Sequence, residues 1–182
     1  MTPEQYLEID SRAERPSEYY NGEMFVVGAT TERHSLIQVN LSAFLHARLQ
    51  GRPCKGLGST IRVQIPQGPY YYPDFVVACG KREYAAYDTL LNPTAVFEIL
   101  SESTANYDLG RKGELYQTIP SLQEYIVIEQ KCPRARRWTR QSANKWLVER
   151  ISGLDKVLAV EAIGCEIPFS DLYFEVDLDP QE

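Results

Sequence analysis

The stretch AVFEIL, residues 95–100, places one carboxylate among five apolar side chains. A nearly continuous apolar run of this length is typical of a strand that is covered on both faces of a sheet. Glu98 is unusual there, because an ionised carboxylate is costly to remove from water without compensation. The pattern leaves three alternatives for Glu98: it reaches the surface, carries a proton, or has a partner.

A second apolar strand, PDFVVACG at 73–80, carries another acid, Asp74. Pro73 has no amide hydrogen and belongs at the start of a strand, so Asp74 lies near that start. If the two strands are neighbours, both carboxylates can point into one cleft, where Mg²⁺ would offset their repulsion with oxygen ligands. We therefore predict that Asp74 and Glu98 bind a metal. The alternative is that Glu98 points out of an edge strand or pairs with a buried Arg or Lys.

The remaining patterns predict an α+β fold (an α/β core) with a central mixed sheet, because helices and strands follow one another along the chain. TIRVQIP (60–66) alternates apolar residues with Arg62 and Gln64, which is typical of a half-exposed strand. Asp108 is a reasonable N-cap for a helix over 109–119. The other predicted elements are helices at 3–10 and 35–50, a hairpin around Asn21-Gly22, and antiparallel strands at 124–130, 135–141 and 145–151.

The composition predicts one soluble domain over residues 1–182. No apolar run approaches the roughly 20 residues of a membrane span, and the N-terminus has no apolar signal region, so we expect a cytoplasmic protein with no membrane partner. The net charge of −6 argues against a broad nucleic-acid-binding surface but allows a local basic patch. The four cysteines form no CxxC pair, and we expect them to be reduced.

Two longer stretches carry a family resemblance. FEILSEST (97–104) and YDLGRKGELYQTIPSLQEYIVIEQ (107–130), together with the hairpin and His-containing helix at 21–45, resemble the Uma family of restriction-endonuclease-like proteins, within the PD-(D/E)XK nuclease superfamily. The resemblance covers roughly residues 4–140 and implies a restriction-endonuclease-like fold. The sequence departs from the superfamily at Leu100, where a lysine is usual. It departs from the family at Glu102, at Arg111, where an acid is common, and at Gly113, which should loosen its helix.

The resemblance also implies a site. In the Uma pattern the lysine lies on the helix after the catalytic strand, which corresponds here to Lys112. Asp74 and Glu98 would bind Mg²⁺, or Mn²⁺ as a substitute, with the Ile99 carbonyl as a third ligand. Lys112 would orient the attacking water or neutralise charge on the phosphate.

Several further residues have accessory or alternative interpretations. Glu23 in the hairpin could add an acid or be a surface residue, and Tyr116 shares a helix face with Lys112. Asp108 either caps the helix, which we favour, or positions Lys112. His34 is expected to cap or pack against the long helix rather than to act in catalysis.

The segment KCPRARRWTR (131–140) concentrates positive charge around an aromatic residue, which suits contacts to a nucleic-acid backbone. Alternate residues of a strand face opposite sides, so these side chains cannot all touch one ligand. A solvated hairpin edge is the alternative. The candidate DNA contacts are Arg134, Arg136 and Arg137, with Lys131, Arg140 and Trp138 beside them.

The leading hypothesis is a Mg²⁺-dependent DNA endonuclease that acts as a homodimer, because cutting two strands favours two sites related by symmetry. The first alternative is a catalytically inactive relative that binds nucleic acid or protein. The second is a metal-dependent hydrolase of a small phosphorylated substrate, which would use the same acids without the basic hairpin.

Overall fold

The structure, a computed structural model, describes residues 1–28, 30–66, 68–101 and 105–180. Residues 102–104 of the FEILSEST motif, and with them the departure at Glu102, lie outside the described residues.

Helices and strands follow the predicted order. The helical elements are α1 (Pro3–Asp10), α2 (Glu32–Leu49), α3 (Ala105–Tyr107), a π-helical turn (Asp108–Lys112), α4 (Gly113–Tyr116), a 3₁₀ helix (Glu161–Ile163) and α5 (Phe169–Leu172). The strands are β1 (Ser17–Tyr20), β2 (Glu23–Val26), β3 (Cys54–Gly58), β4 (Val63–Gln64), β5 (Tyr70–Tyr71), β6 (Phe75–Cys79), β7 (Tyr84–Ala85), β8 (Thr89–Leu90), β9 (Ala95–Ile99), β10 (Glu124–Ile128), β11 (Arg134–Ser142), β12 (Lys145–Ser152), β13 (Val157–Val160) and β14 (Cys165–Pro168).

A mixed sheet forms the centre of the molecule. Among the described residues its six strands have the order β12-β11-β10-β9-β6-β3. Within the part of the chain that the structure describes, only the β9–β10 pair of this sheet is parallel, and the helical segment 105–116 lies between those two strands in the chain. A parallel pair requires such a crossover, whereas the antiparallel pairs do not. β6 and β9 are neighbours, which meets the condition under which the sequence predicts a shared cleft.

The two faces of the central sheet pack into separate cores, because successive side chains of a strand point to opposite faces. In β9, Phe97 and Ile99 contribute to the core that contains α2, whereas Val96 contributes to the core that contains Tyr116 of α4. Both β9 and β10 are buried along their whole length. The residues of α2 in the first core are Ile37, Leu41, Leu45 and Leu49.

A second sheet, with the order β2-β1-β5-β4-β8-β7 in the described chain, lies beside the first. The prediction of a half-exposed strand over 60–66 is wrong in extent, because β4 contains only Val63 and Gln64. It is also wrong about exposure: Arg62 is buried, and its Nη2 atom lies 3.3 Å from Oδ2 of Asp10. A buried carboxylate from α1 compensates the guanidinium, and a local alternation of residues cannot reveal such a distant partner.

Two helices begin earlier than predicted. α2 starts at Glu32, because the Thr31 hydroxyl accepts a hydrogen bond from the His34 amide at 3.2 Å and caps the helix. The second helical segment starts at Ala105, so the prediction that Asp108 is its N-cap is wrong. Asp108 opens the π-helical turn, in which Gly110 has the non-helical angles φ −114° and ψ −105°.

Gly113 has a packing role in place of the loosening effect that the sequence suggested. A Cβ atom at this position would lie 2.9 Å from Cε1 of Tyr125. Only glycine therefore lets the turn that follows Lys112 approach the ring on β10 this closely.

Cys54 and Cys79 form a disulfide, so the expectation of four reduced cysteines is wrong for this pair. The two residues lie directly opposite each other in the antiparallel pair β3–β6, and that register brings their side chains together. Cys132 and Cys165 are free thiols. No helix in the described ranges is long and apolar enough to span a membrane.

Gly56 in β3 provides a test of the packing between β3 and β6. A Cβ atom there would lie 2.4 Å from Cζ of Phe75, so we expect Gly56→Ala to displace this ring and to lower the free energy of unfolding by about 1–3 kcal/mol. Urea denaturation measures the change. Gly58→Ala in the same strand is the matched control, since its Cβ would have no neighbour within 4 Å. Equal stability of the two variants would contradict the packing argument.

Candidate functional site

A cleft of about 750 Å³ lies between the β1–β2 hairpin, the start of α2, the central sheet and the helical segment 105–112. Charged and titratable side chains form much of its lining. They are Glu18, Glu32, Arg33, His34, Asp74, Glu98, Asp108, Lys112 and Lys131.

Strand register brings the two predicted acids together. Phe75 of β6 pairs with Phe97 of β9, and continuing this antiparallel register by one residue sets Asp74 opposite Glu98. Side chains directly opposite each other share a face of the sheet and lie close together. Asp74 is held in place by a hydrogen bond to its Oδ2 atom from the Ile99 amide, at 2.7 Å. Glu98, Asp74 and Ile99 all line the cleft.

His34 belongs to the same cleft, which the sequence interpretation of a capping or packing residue did not foresee. Its backbone amide receives the cap from Thr31, but its imidazole Nε2 lies 3.2 Å from Oδ1 of Asp74. The ring is buried, and its Nδ1 atom has no hydrogen-bond partner among the described residues. The imidazole and the Ile99 amide therefore contact the two different carboxylate oxygens of Asp74.

Lys112 is the central cation of the cleft. Its Nζ atom lies 2.9 Å from Oε1 of Glu98, 2.9 Å from Oε1 of Glu18 and 3.7 Å from Oδ1 of Asp108. The ammonium also lies 5.1 Å from the centre of the Tyr71 ring, a distance at which cation–π attraction operates. Asp108 and Lys112 are the first and last residues of the π-helical turn, and both side chains are buried. The turn therefore directs both of them toward the interior. Asp108 thus lies beside Lys112 in place of capping the helix.

The contact between Lys112 and Glu98 is an ion pair without the angles of a hydrogen bond, since Oε1 of Glu98 accepts no hydrogen bond from the described residues. Burial raises the pKa of Glu98 well above its usual value; the nearby ammonium opposes this rise, and the charges of Asp108 and Asp74 add to it. Oε1 of Glu98 therefore has the Lys112 ammonium as its charge partner but no aligned hydrogen-bond donor among the described residues.

Lys112 itself stays protonated. Burial lowers the pKa of an ammonium, but the surrounding carboxylates of Glu98, Glu18 and Asp108 outweigh this effect and raise the pKa of Lys112 well above its usual value. Because one ammonium faces three carboxylates, with Asp74 nearby, the inner cleft carries an excess of negative charge when these acids are ionised.

Glu18 is the functional candidate that the sequence interpretation missed. The sequence interpretation named Glu23 as the accessory acid of the hairpin, whereas Glu18 is the acid that lines the cleft. Glu18 and Glu23 lie on the same face of the hairpin, because Glu18 pairs with Phe25 and Tyr20 pairs with Glu23. Glu23 lies at the turn end, is exposed and does not line the cleft. Glu18 lies deeper, where its Oε1 atom also accepts a hydrogen bond from the Tyr72 amide at 3.2 Å.

Tyr116 lies behind the site and does not line the cleft. Its ring stacks on Tyr125 at 5.3 Å between centres and packs against Tyr71 at 5.5 Å. Burial raises the pKa of its hydroxyl, and the charge of Glu98 raises it further. Tyr116 therefore supports the helical segment from the core side.

The basic segment divides between the two faces of the sheet, as the alternation of a strand requires. Arg137 is buried on the face opposite Glu98, where it pairs with Glu149 and lies 3.6 Å from Glu124. Its prediction as a DNA contact is wrong, because distant acids hold it inside the protein. The guanidinium of Arg140 donates to the carbonyls of Gln117, Ile119, Leu122 and Ala143.

Arg136 lies on the same face of the central sheet as Glu98. Glu98 of β9 pairs with Val127 of β10, and Val127 pairs with Arg136 of β11. Arg136 in turn pairs with Arg150 of β12, so all four side chains share one face of the sheet. With about 4.8 Å between neighbouring strands, Arg136 lies roughly 10 Å from Glu98 across this face. Arg134 and Arg150 are exposed next to it, and the three guanidinium side chains line one small pocket.

The cleft does not contain a complete set of side-chain metal ligands among the described residues. Within the described ranges, no three His, Cys, Asp or Glu side chains converge closely enough to form a metal site by themselves. A site built on Asp74 and Glu98 would thus need a backbone carbonyl and solvent to complete it, which is the ligand set that Mg²⁺ commonly takes.

The ion cluster around Lys112 predicts a large stability effect. We expect Lys112→Met to lower the free energy of unfolding by about 3 kcal/mol, because it leaves Glu18, Glu98 and Asp108 without their shared cation. Urea denaturation in EDTA measures this change. Lys156→Met is the control, since Lys156 pairs with Asp155 at the surface and should shift stability by less than about 0.5 kcal/mol. Two similar values would refute a central role for the Lys112 cluster.

The chain is similar to two proteins of Synechocystis and to one solved structure. An uncharacterized protein of Synechocystis, slr1290, is 29% identical over 174 residues, which cover 95% of this chain and 91% of that protein. A second one, sll1609, is 30% identical over 156 residues, which cover 84% and 88%. The crystal structure of a putative nuclease belonging to DUF820, from Anabaena variabilis, matches with a TM-score of 0.78 at 18% identity and covers 95% of this chain and 97% of that one.

The structural match and the α+β architecture confirm the predicted restriction-endonuclease-like fold class. Residues 3–170 match the family Uma2, which is described as putative restriction endonuclease. This match covers most of the chain, and the predicted resemblance is confirmed. The protein belongs to the Uma2 family.

Proposed function

We propose that this protein is a divalent-metal-dependent endonuclease that hydrolyses DNA phosphodiester bonds in the cleft. The observation that carries the proposal is that two acids from neighbouring strands and one buried ammonium line a single cleft. The family description and the nuclease title of the structural neighbour support the reaction class. The proposed hydrolysis depends on the side chains of Asp74, Glu98 and Lys112.

The residues present fit a divalent cation. The inner cleft has more carboxylates than cations, and Oε1 of Glu98 lacks a hydrogen bond from the described residues. Asp74, Glu98 and the Ile99 carbonyl would hold Mg²⁺, with Mn²⁺ as a substitute. When bound, such a cation supplies a water of lowered pKa and positive charge beside the scissile phosphate.

The chain's own groups supply orientation and charge. Lys112 would donate to the attacking water or to a phosphate oxygen, where its fixed positive charge stabilises the negative charge that develops during attack. Glu18 keeps this ammonium in place from the hairpin side. His34 and the Ile99 amide hold Asp74, which restricts the rotation of its carboxylate.

DNA would run from the cleft across the face that bears Arg136. Arg134 and Arg150 are exposed beside Arg136. Their charges can offset backbone phosphates even though the whole chain has a net charge of −6. For cleavage of both strands we propose a homodimer, because two-fold symmetry would present one site to each strand.

Plasmid nicking tests the proposed reaction. With Mg²⁺ or Mn²⁺, we expect the protein to convert supercoiled plasmid to the nicked form, and Glu98→Gln or Asp74→Asn to reduce the rate by about two orders of magnitude or more. Lys112→Met should lower the rate similarly, whereas Lys156→Met should not. Nicking that persists in Glu98→Gln would assign the activity to a contaminant. Absence of cleavage by the native protein would favour an inactive DNA-binding relative.

Metal binding is tested separately from activity. In EDTA we expect Glu98→Gln to be more thermally stable than the native protein, because the amide removes one of the crowded negative charges. Added Mg²⁺ should raise the Tm of the native protein by roughly 2–4 °C per kcal/mol of stabilisation, which equals RT ln(1 + c/Kd) at a free Mg²⁺ concentration c, and leave that of Glu98→Gln nearly unchanged. Differential scanning calorimetry gives both values. Equal shifts in the two proteins would exclude Glu98 as a ligand.

A further inference from the structure

We propose that Phe25 is a stacking surface for an unpaired nucleobase, so that the cleft selects DNA with a single-stranded or locally unpaired segment over a regular duplex. This inference rests on the proposed function and names its substrate class. It arises from the exposed apolar wall of the cleft, which the proposed hydrolysis does not itself require.

Phe25 lies very close to the charged centre. It pairs directly with Glu18 across the hairpin, so the two side chains share a face and their Cβ atoms lie about 5 Å apart. Oε1 of Glu18 in turn lies 2.9 Å from Nζ of Lys112. The Phe25 ring is therefore one residue pair away from the carboxylate that holds the proposed phosphate-binding ammonium.

The ring is also available to a ligand. Phe25 is 49% exposed and lines the cleft, and Val26 and Val27 are also among the apolar residues that line it. An exposed phenylalanine leaves a large apolar area in water, which a ligand would cover with a favourable change in free energy. Lys131 and Arg33 also line the cleft. Arg33 forms an ion pair with Asp179 at 2.7 Å.

Nucleic-acid geometry decides which ligand fits. In a regular duplex the bases stack inside and the phosphates lie outside, so an aromatic ring beside a bound phosphate cannot reach a base face. An unpaired base can swing out and stack on such a ring while its own phosphate stays at the charged centre. The juxtaposition of Phe25 with Glu18 and Lys112 matches one nucleotide of this kind.

A protein segment is the competing occupant, because β2 is an edge strand of its sheet and edge strands can pair with an added strand. The nucleobase is favoured since Phe25 shares the hairpin face of Glu18, toward the cleft. A strand added along the edge of β2 would require the outer backbone of β2 and not that face.

The experiment compares two DNA forms in a non-cleaving background. Glu98→Gln protein in EDTA is titrated into a fluorescent single-stranded oligonucleotide with a central 2-aminopurine, and into its duplex, while anisotropy reports Kd and 2-aminopurine quenching reports stacking. We expect added Phe25→Ala to weaken single-strand binding by about tenfold and to abolish quenching, with less than about a twofold change for the duplex. Phe25→Trp should restore both signals.

Phe174→Ala is the matched control, because Phe174 is 60% exposed but does not line the cleft, and it should change neither Kd. Equal weakening of single strand and duplex by Phe25→Ala would overturn the unpaired-base proposal, as would unchanged affinity for both, which would leave the ring to a protein partner. Cleavage by the native enzyme is measured in parallel. If the single strand is bound through Phe25 but never cut, the proposed nuclease activity fails and base stacking stands.

Discussion

One buried ammonium determines the arrangement of this site. Lys112 contacts Glu18 from the hairpin, Glu98 from the central sheet and Asp108 from its own helical turn, so it connects three elements of the fold through charge. The three carboxylates depend on this one ammonium, because each buried charge needs compensation. The hairpin, sheet and helical segment therefore keep their relative positions, and those positions define the cleft.

Much of the framework could be predicted from the sequence because it depends on local patterns. Apolar runs indicated that the strands of Asp74 and Glu98 are buried. Their antiparallel pairing and register come from the structure, because continuous apolar runs contain no alternation that would fix a register. Lys112 carries no such signal, since a lysine in a helical pattern reads as a solvated residue, and only the family resemblance singled it out. The π-helical turn that carries Asp108 inward was not predictable either, because ordinary helix patterns assume a regular period.

The residues that sequence reasoning misplaced share one physical property: a distant partner determines where each side chain points. Arg62 alternates with apolar neighbours and Arg137 belongs to a basic run, so both resemble ordinary surface residues, yet Asp10 and Glu124 hold them inside. Glu18 and Glu23 could not be distinguished from the sequence as the acid of the cleft, because the hairpin register places both on one face. Only the position of the hairpin against Lys112 shows which of the two reaches the cleft.

The π-helical turn also limits how this family member can evolve. Each residue of a helical turn rotates the chain by roughly a quarter of a turn, so gaining or losing one residue between Asp108 and Lys112 would rotate the ammonium away from Glu98. Changes of side chain are tolerated more easily there, because Arg111 points outward to Tyr20 and Glu114. Sequence changes in this segment should therefore be substitutions and not insertions or deletions. Because the lysine lies on the helical turn, position 100 can be occupied by a leucine that packs in the hydrophobic core.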